Sequence, residues 1–166
     1  IGIDEDDFYE AIKDFKGAAR RLEEIGRNDQ TVVYKDFAHS PSKLDATVRA
    51  VKKQWPNRKL VACMELHTFS SLTKGFLLEY DGTMNEADTA IVFFKEETLA
   101  QKRLDPISTD EVKSAFGRSD IEVFTNSDKL KARLEQIELA NSNLLLMSSG
   151  NFGGIDVDVF GKSLIH

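Results

Sequence analysis

An apolar run from Leu60 to Met64, set between Lys59 and Glu65, constrains the fold more than any other feature of this sequence. A strand with one face in water alternates apolar and polar residues, and this run does not alternate. Unbroken apolar strands of this length are typical of parallel sheets that helices cover on both faces. The segment 59–65 therefore predicts an inner strand of an α/β sheet.

Strand and helix patterns alternate along the rest of the chain, as they do around parallel sheets. The helix pattern covers residues 4–15, 42–55, 74–85, 108–116, 127–140 and 155–164. The strand pattern covers residues 19–25, 31–36, 59–65, 89–94, 121–124 and 143–147. A short turn joins the first two strands, which makes the first one antiparallel. We expect a Rossmann-like three-layer α/β sandwich, in which helices cover both faces of a mainly parallel sheet of about six strands with one antiparallel strand.

Composition and charge narrow the class of protein. The 166 residues suit one domain, and a content of 41% apolar and 30% charged residues is typical of a soluble globular chain. The formal net charge of −6 argues against nucleic acid as a partner, and no apolar run is long enough to cross a membrane. The single Cys63 cannot form an internal disulfide, which favours a reducing, cytoplasmic location. No zinc-ligand spacing is present, and no metal ligand is expected.

Three polar loops follow predicted strands, at the sheet edge where α/β proteins bind ligands. Residues 36–41, Asp-Phe-Ala-His-Ser-Pro, end one strand and begin a helix, with Ser40 suited to the N-cap and Pro41 to the first helical position. His39 then lies at the positive end of a helix dipole, which attracts anions such as phosphate. Residues 65–71 follow a second strand, with Ser70 or Ser71 as a cap if the loop has no other role. Residues 148–154 follow the last strand and carry three glycines, which either form an anion-binding nest or only cap the last helix.

Residues 36–41 resemble the Asp-Tyr/Phe-Ala/Gly-His-x-Pro motif of the Mur ligases, ATP-dependent enzymes that join amino acids or peptides to a UDP-muramoyl carrier. Residues 15–23 are similar to the Phe-x-Gly-x-x-Arg-Arg-Phe/Leu-Glu signature of the branch that acts on muramate. Residues 146–155 resemble the Met-Ser-Asn-Gly-Gly-Phe-Gly-Gly-Ile loop of the murein peptide ligases. The resemblance implies that residues 1–166 are a Mur ligase C-terminal domain. Because the chain begins with Ile1 and has no phosphate loop, we expect the N-terminal UDP-binding and central ATPase domains to lie outside it.

The resemblance also implies roles for individual residues. Asp36 would contact the ribose hydroxyls of ATP, Arg21 the ribose or phosphates, and His39 the nucleotide or the reacting carboxylate. The alternatives are an ion pair of Asp36 with Arg21 between adjacent strands and a bond from His39 to a nearby carbonyl. Arg20 would point to the opposite face of its strand.

Acceptor recognition would come from the other two loops. Residues 65–71 resemble the His-Arg-Tyr-Thr/Ser-Arg loop of the L-alanine-adding ligases. Peptide ligases usually carry Glu-Pro-Arg-Ser-Asn-Thr-Met at this place, so that Leu66 and His67 replace Pro and Arg. The residues that the resemblance implies for substrate binding are His67, Thr68, Ser70, Ser149, Gly150, Asn151, Gly153 and Gly154. We expect no catalytic residue within this chain alone, which should be inactive by itself.

The reaction that the resemblance implies begins with transfer of phosphate from ATP to a muramoyl carboxylate, and the acceptor amine then attacks the acyl phosphate. ATP and Mg²⁺ are the expected cofactors, held mostly by the central domain. UDP-N-acetylmuramate and a murein tripeptide are the expected substrates, in peptidoglycan recycling in the bacterial cytoplasm, and the protein's own other domains are the expected partners. Two alternatives stay open: L-alanine as the acceptor, and a stand-alone nucleotide-binding or interaction module.

Overall fold

The computed structural model describes residues 22–165, which form a six-stranded sheet with helices on both faces. The strands are β1 Glu23–Arg27, β2 Val32–Asp36, β3 Lys59–Glu65, β4 Thr89–Phe93, β5 Glu122–Phe124 and β6 Ser142–Met147. The helices are α1 Pro41–Gln54, α2 Lys74–Leu77, α3 Glu96–Gln101, α4 Thr109–Ala115, α5 Ser127–Gln136 and α6 Val157–Ser163. Short 3₁₀ turns cover Ser70–Leu72, Leu78–Tyr80 and Phe152–Gly154.

The strand order places the ends of three strands side by side. The order is β1-β2-β6-β3-β4-β5, with β1 antiparallel to β2 and the other pairs parallel. The predicted Rossmann-like, mainly parallel fold with one antiparallel strand is therefore confirmed. Since β2, β6 and β3 are neighbours, the loops that follow them leave the same edge of the sheet.

The side chains of β3 enter two separate apolar clusters, one on each face of the sheet. Leu60, Ala62 and Met64 pack with α1 and α4 on one face, whereas Val61 and Cys63 pack with α5 and α6 on the other. This alternation confirms that the apolar run is an inner strand. Each fully buried Leu, Val or Met contributes about 1.5–3 kcal/mol of transfer free energy. Burial also raises the pKa of the Cys63 thiol, so this cysteine stays protonated within the core.

Several predicted boundaries differ from the structure. The helix predicted over 74–85 is only α2 followed by the 3₁₀ turn Leu78–Tyr80, because Asp81, with a ψ of 127°, leaves helical geometry. The helix predicted over 127–140 ends at Gln136, and α3 is a helix that the apolar pattern did not predict. The helix predicted over 4–15 and residues 19–21 of the first strand lie outside the described residues.

Among the described residues, no helix combines the length and the apolar character that crossing a membrane requires.

Candidate functional site at the carboxyl edge of the sheet

Loops after β2, β3 and β6 meet at one edge of the sheet, as predicted. The Ser148 N–H donates to the Asp36 carbonyl over 3.0 Å, which joins the first loop to the third. A cavity of about 510 Å³ opens here, between the ends of β2 and β6 and the start of α6. Its lining includes Glu23, Lys35, Asp36, Phe37, Ser148, Ser149, Gly150, Phe152 and Asp158.

The loop after β2 is held mainly by bonds between residues close in sequence. Asp36 Oδ1 accepts a hydrogen bond from the Ala38 N–H at 2.6 Å, which tightens the turn out of the strand. Ser40 is the N-cap residue of α1 and Pro41 its first residue, as predicted, although the Ser40 hydroxyl makes no cap bond. Contact of Asp36 with a ribose remains a prediction. Arg21, its predicted companion, lies outside the described residues.

His39 is bound to its own loop. Its Nδ1 lies 2.9 Å from the Phe37 carbonyl oxygen, and its ring meets the Phe37 ring edge-on at 5.2 Å. The Tyr80 hydroxyl donates to the His39 carbonyl over 2.6 Å. The contact to a nearby carbonyl, the alternative raised by the sequence, is therefore present, and it makes Nδ1 a donor and Nε2 the acceptor atom of a neutral ring. Contact of His39 with the nucleotide remains a prediction.

The loop after β3 divides into a part that faces the glycine loop and a part that folds on itself. His67 belongs to the first part, because a Cβ added to Gly150 would lie 2.6 Å from His67 Cγ. Thr68 belongs to the second, since its hydroxyl oxygen accepts from the Ser71 N–H at 3.1 Å. Ser70 is exposed, and its carbonyl accepts from the Thr73 hydroxyl. Thr68 and Ser70 thus support the 3₁₀ turn Ser70–Leu72, and their contact with substrate remains a prediction.

The glycine loop, residues 148–154, is organised around the carboxylate of Glu65. Glu65 ends β3 and is only 2% exposed. Its Oε2 accepts a short hydrogen bond from the Ser148 hydroxyl and a second bond, of 2.8 Å, from the Phe152 N–H. The Gly150 N–H in turn donates to Ser148 Oγ over 2.7 Å. The residues that fix this loop, Glu65, Ser148 and Phe152, were not among those predicted to bind substrate.

Gly153, Gly154 and Ser149, all predicted to bind substrate, differ in their surroundings. Gly153 has a φ of +66°, and an added Cβ would lie 3.0 Å from Phe93 Cζ, so the fold itself requires this glycine. Gly154 has a φ of +98° and open space around it. Ser149 lines the cavity, and its Oγ has no hydrogen-bond partner among the described residues. A buried hydroxyl without a partner costs free energy, which marks Ser149 as an unusual position in the loop.

Charges of both signs line the cavity. Lys35 Nζ lies 2.7 Å and 2.8 Å from the two carboxylate oxygens of Asp158 and 3.5 Å from Glu23. The hydrogen bond to Asp158 raises the pKa of Lys35, which is therefore a cation at neutral pH. Asp36 adds a further carboxylate to the wall. The cavity can therefore face the ammonium groups of a ligand as well as its carboxylates. No cluster of three metal-ligating side chains occurs between residues 22 and 165.

Comparison with known proteins agrees with this architecture. The model of a family described as "Mur ligase, glutamate ligase domain" matches residues 20–151. The chain belongs to this family. The resemblance seen in the three sequence motifs is thereby confirmed. The match includes the strands that form the site edge and most of the glycine loop of this Mur ligase domain.

Two curated relatives share the name UDP-N-acetylmuramate–L-alanine ligase. The UDP-N-acetylmuramate–L-alanine ligase of Lactobacillus helveticus is 31% identical over 159 residues, which cover 96% of this chain and 34% of that protein. The ligase of the same name from Caldicellulosiruptor saccharolyticus is 40% identical over 92 residues, 55% of this chain and 20% of that protein. The Mur ligase domain thus spans about a third of the length of relatives that it matches throughout.

The solved structures that match include peptide-adding and alanine-adding ligases of UDP-N-acetylmuramate. A domain described as part of a UDP-N-acetylmuramate:L-alanyl-γ-D-glutamyl-meso-diaminopimelate ligase from Haemophilus ducreyi is 26% identical, with a TM-score of 0.59 over 87% of this chain and 99% of that one. A murein peptide ligase from Psychrobacter arcticus matches in fold, with 21% identity and a TM-score of 0.69 over 93% of this chain and 32% of that one. A UDP-N-acetylmuramate–alanine ligase from Thermotoga maritima also matches in fold, with 18% identity and a TM-score of 0.61 over 93% of this chain and 31% of that one.

Proposed function

We propose that this Mur ligase domain binds the acceptor peptide in an ATP-dependent ligase that joins a murein tripeptide to UDP-N-acetylmuramate. The observation that carries the proposal is the glycine loop, which lies at the ligand edge of the sheet and presents Ser149 to a charged cavity. In the family reaction the acceptor must hold its amine towards the activated carboxylate while the rest of the molecule is fixed. The loop and cavity supply such a binding surface.

The size and charge of the cavity support a peptide acceptor. A volume of about 510 Å³ is well above the needs of one small amino acid and falls in the range, about 300–1,000 Å³, of sites for larger ligands. A tripeptide carries both amine and carboxylate groups. Lys35 can meet its carboxylates, and Asp158 can meet its ammonium groups.

This chain would orient the nucleotide and the acceptor for the reaction. When bound, ATP supplies the phosphoryl group that activates the muramoyl carboxylate. Asp36 and His39, just before α1, suit contact with the nucleotide. The glycine loop would hold the acceptor in line with the activated carbonyl, and correct orientation of this kind lowers the barrier of a two-substrate reaction. Mg²⁺ is assigned to the rest of the ligase.

L-Alanine is the second candidate acceptor. The curated relatives that match this chain throughout are named as L-alanine ligases, and residues 65–71 resemble the corresponding loop of those enzymes. The glycine loop and the cavity volume favour the tripeptide instead. These two acceptors are chemically distinct enough for a direct comparison.

The test is a competition between acceptors in the whole ligase. The full reading frame that contains this chain would be purified and given UDP-N-acetylmuramate, ATP and Mg²⁺ with either L-alanyl-γ-D-glutamyl-meso-diaminopimelate or L-alanine. Release of phosphate gives the rate, and mass spectrometry identifies the product. We expect kcat/KM for the tripeptide to exceed that for L-alanine by at least about a hundredfold, which corresponds to about 2.7 kcal/mol of transition-state binding. A preference for L-alanine would overturn the proposal.

A further inference from the structure

Glu65 is a buried carboxylate without a cation to match it. Its side chain is 3% exposed, and the nearest basic group in the described part of the chain is His67, whose Nδ1 lies 3.8 Å from Oε1. Acidic side chains are almost never buried this deeply unless hydrogen bonds or opposite charges compensate for lost hydration. Here the compensation comes from the glycine loop.

The loop closes around one oxygen of that carboxylate. The Ser148 hydroxyl and the Phe152 N–H both donate to Oε2, and the Gly150 N–H reaches the same network through Ser148 Oγ. A Cβ at residue 150 would lie only 2.8 Å from Glu65 Oε2, so a glycine is needed where the loop passes over the carboxylate. The loop therefore has the form of an anion-binding turn, and Glu65 is the anion.

We propose that Glu65 is the positioning residue of the acceptor loop. Its carboxylate fixes the backbone of residues 148–152 and so sets the position of Ser149, which lines the cavity. The inference rests on the proposed function, in which this loop contacts the acceptor. It also excludes one binding mode: an acceptor carboxylate cannot take the Phe152 N–H, because Glu65 already holds it.

Hydrogen exchange on the 166-residue chain tests the positioning directly. A Haemophilus ducreyi domain, of which this chain covers 99%, was crystallised by itself, which supports work on the isolated domain. In Glu65→Ala we expect the Phe152 amide to exchange roughly ten- to a hundredfold faster, since it loses a charged acceptor. The Gly150 amide should also exchange faster, because its acceptor, the Ser148 hydroxyl, loses its own bond to Glu65. In Glu65→Gln an amide oxygen can replace Oε2, and the increase should stay below about threefold.

Two further variants separate positioning from general loss of stability. Val61→Ala shortens a core side chain on the same strand and the same face as Glu65. It should lower the melting temperature without changing exchange at Phe152 relative to the amides of β3. Ser148→Ala leaves Glu65 in place and should speed exchange at Gly150 by about tenfold, even if Glu65→Ala does not fold. Unchanged exchange at both amides in Glu65→Ala would overturn the positioning role. Unchanged exchange at Gly150 in Ser148→Ala would overturn it as well.

Steady-state kinetics of the whole ligase test whether the loop that Glu65 positions affects binding of the tripeptide. Glu65→Ala should raise the KM for tripeptide about tenfold or more and leave the KM for ATP within about twofold, and Glu65→Gln should recover most of the loss. A structural defect alone would lower kcat without this split between the two substrates. If loop exchange rises while the tripeptide KM stays normal, the positioning role stands and the acceptor site of the proposed function is wrong.

Discussion

The loops after β2 and after β6 lie side by side at one edge of the sheet, yet different kinds of contact hold them. In the first, Asp36 bonds to the Ala38 N–H and His39 to the Phe37 carbonyl, each two residues away in sequence. In the second, Ser148 and Phe152 bond to Glu65, which is 83 and 87 residues away. The first loop is shaped largely by its own sequence, and the second by a strand from the middle of the chain.

This difference predicts that the two loops respond differently to substitution. A change in the first loop should act locally and leave the glycine loop unaltered. A change at Glu65 or within 148–154 should alter both the fold and the cavity, since the same groups serve both. The predictions below are ordered by the expected size of the effect on the free energy of unfolding.

Gly153→Val should have the largest effect. Its φ of +66° is unfavourable for a branched residue, and a Cβ would lie 3.0 Å from Phe93 Cζ and 3.1 Å from Ser127 Cβ. We expect a loss of about 3 kcal/mol, from backbone strain and overpacking together. Chemical denaturation of the 166-residue chain measures it.

Gly154→Val is the matched control for that variant. It also has a positive φ, of +98°, but no heavy atom lies within 4 Å of an added Cβ. Strain alone should cost about 1–2 kcal/mol. Equal losses at both positions would mean that Gly153 does not pack against β4 and α5 as described.

Asp36→Ala should cost about 1–2 kcal/mol, because it removes the carboxylate that accepts the Ala38 N–H bond inside a short turn. Amide exchange at Ala38 should rise, whereas exchange at Phe152 should not change. A parallel rise at Phe152 would show that the two loops form one unit and would contradict their independence.

A carboxylate at the opposite edge of the sheet provides a contrast with Glu65. Asp88 Oδ2 lies 2.7 Å from both Lys52 Nζ and the Leu60 N–H. Desolvation raises the pKa of Asp88, but the hydrogen bonds from Lys52 and from the Leu60 N–H outweigh it, so the pKa lies below its ordinary value. Unlike Glu65, this acid is held by a cation.

Asp88→Asn should therefore have the smallest effect and one that depends on pH. A lowered pKa gives stability that is present above the unfolded pKa, 3.8, and lost as pH falls through the folded value. Because the side chain is partly exposed, we expect Asp88→Asn to cost only about 1 kcal/mol at pH 7, with the difference disappearing as pH falls through the folded pKa. Denaturation at several pH values measures it, and a difference that persists in acid would contradict the ion-pair account.

The contrast between the loops also explains what the sequence predicted. The strand Lys59–Glu65 was predicted to the residue because its unbroken apolar pattern reflects burial on both faces. The capping box of Ser108 and Glu111 was predicted because both of its bonds span three residues. The adjacency of the three loops followed from the parallel strand order.

The part of the site that the sequence did not predict depends on contacts between distant segments. Nothing near Glu65 indicates that its carboxylate turns towards the last loop, and nothing near Gly150 indicates which anion the loop encloses. One signal was present: an acidic residue ends an unbroken apolar strand at the ligand edge. The Gly150 amide, which was expected to meet substrate, donates to Ser148 Oγ in the turn around Glu65, and its contact with substrate stays a prediction.

The measurement that tests the account most directly is a comparison of Ser149→Ala with Asp36→Ala in the whole ligase, with Ser114→Ala as an exposed serine control. Apparent KM values for tripeptide and for ATP would be measured in each variant, beside a thermal melt. We expect Ser149→Ala to raise the tripeptide KM by roughly tenfold with an unchanged ATP KM, and Asp36→Ala to raise the ATP KM by roughly ten- to a hundredfold with a nearly unchanged tripeptide KM. If Ser149→Ala left the tripeptide KM at the value of Ser114→Ala, the glycine loop would not be the acceptor site.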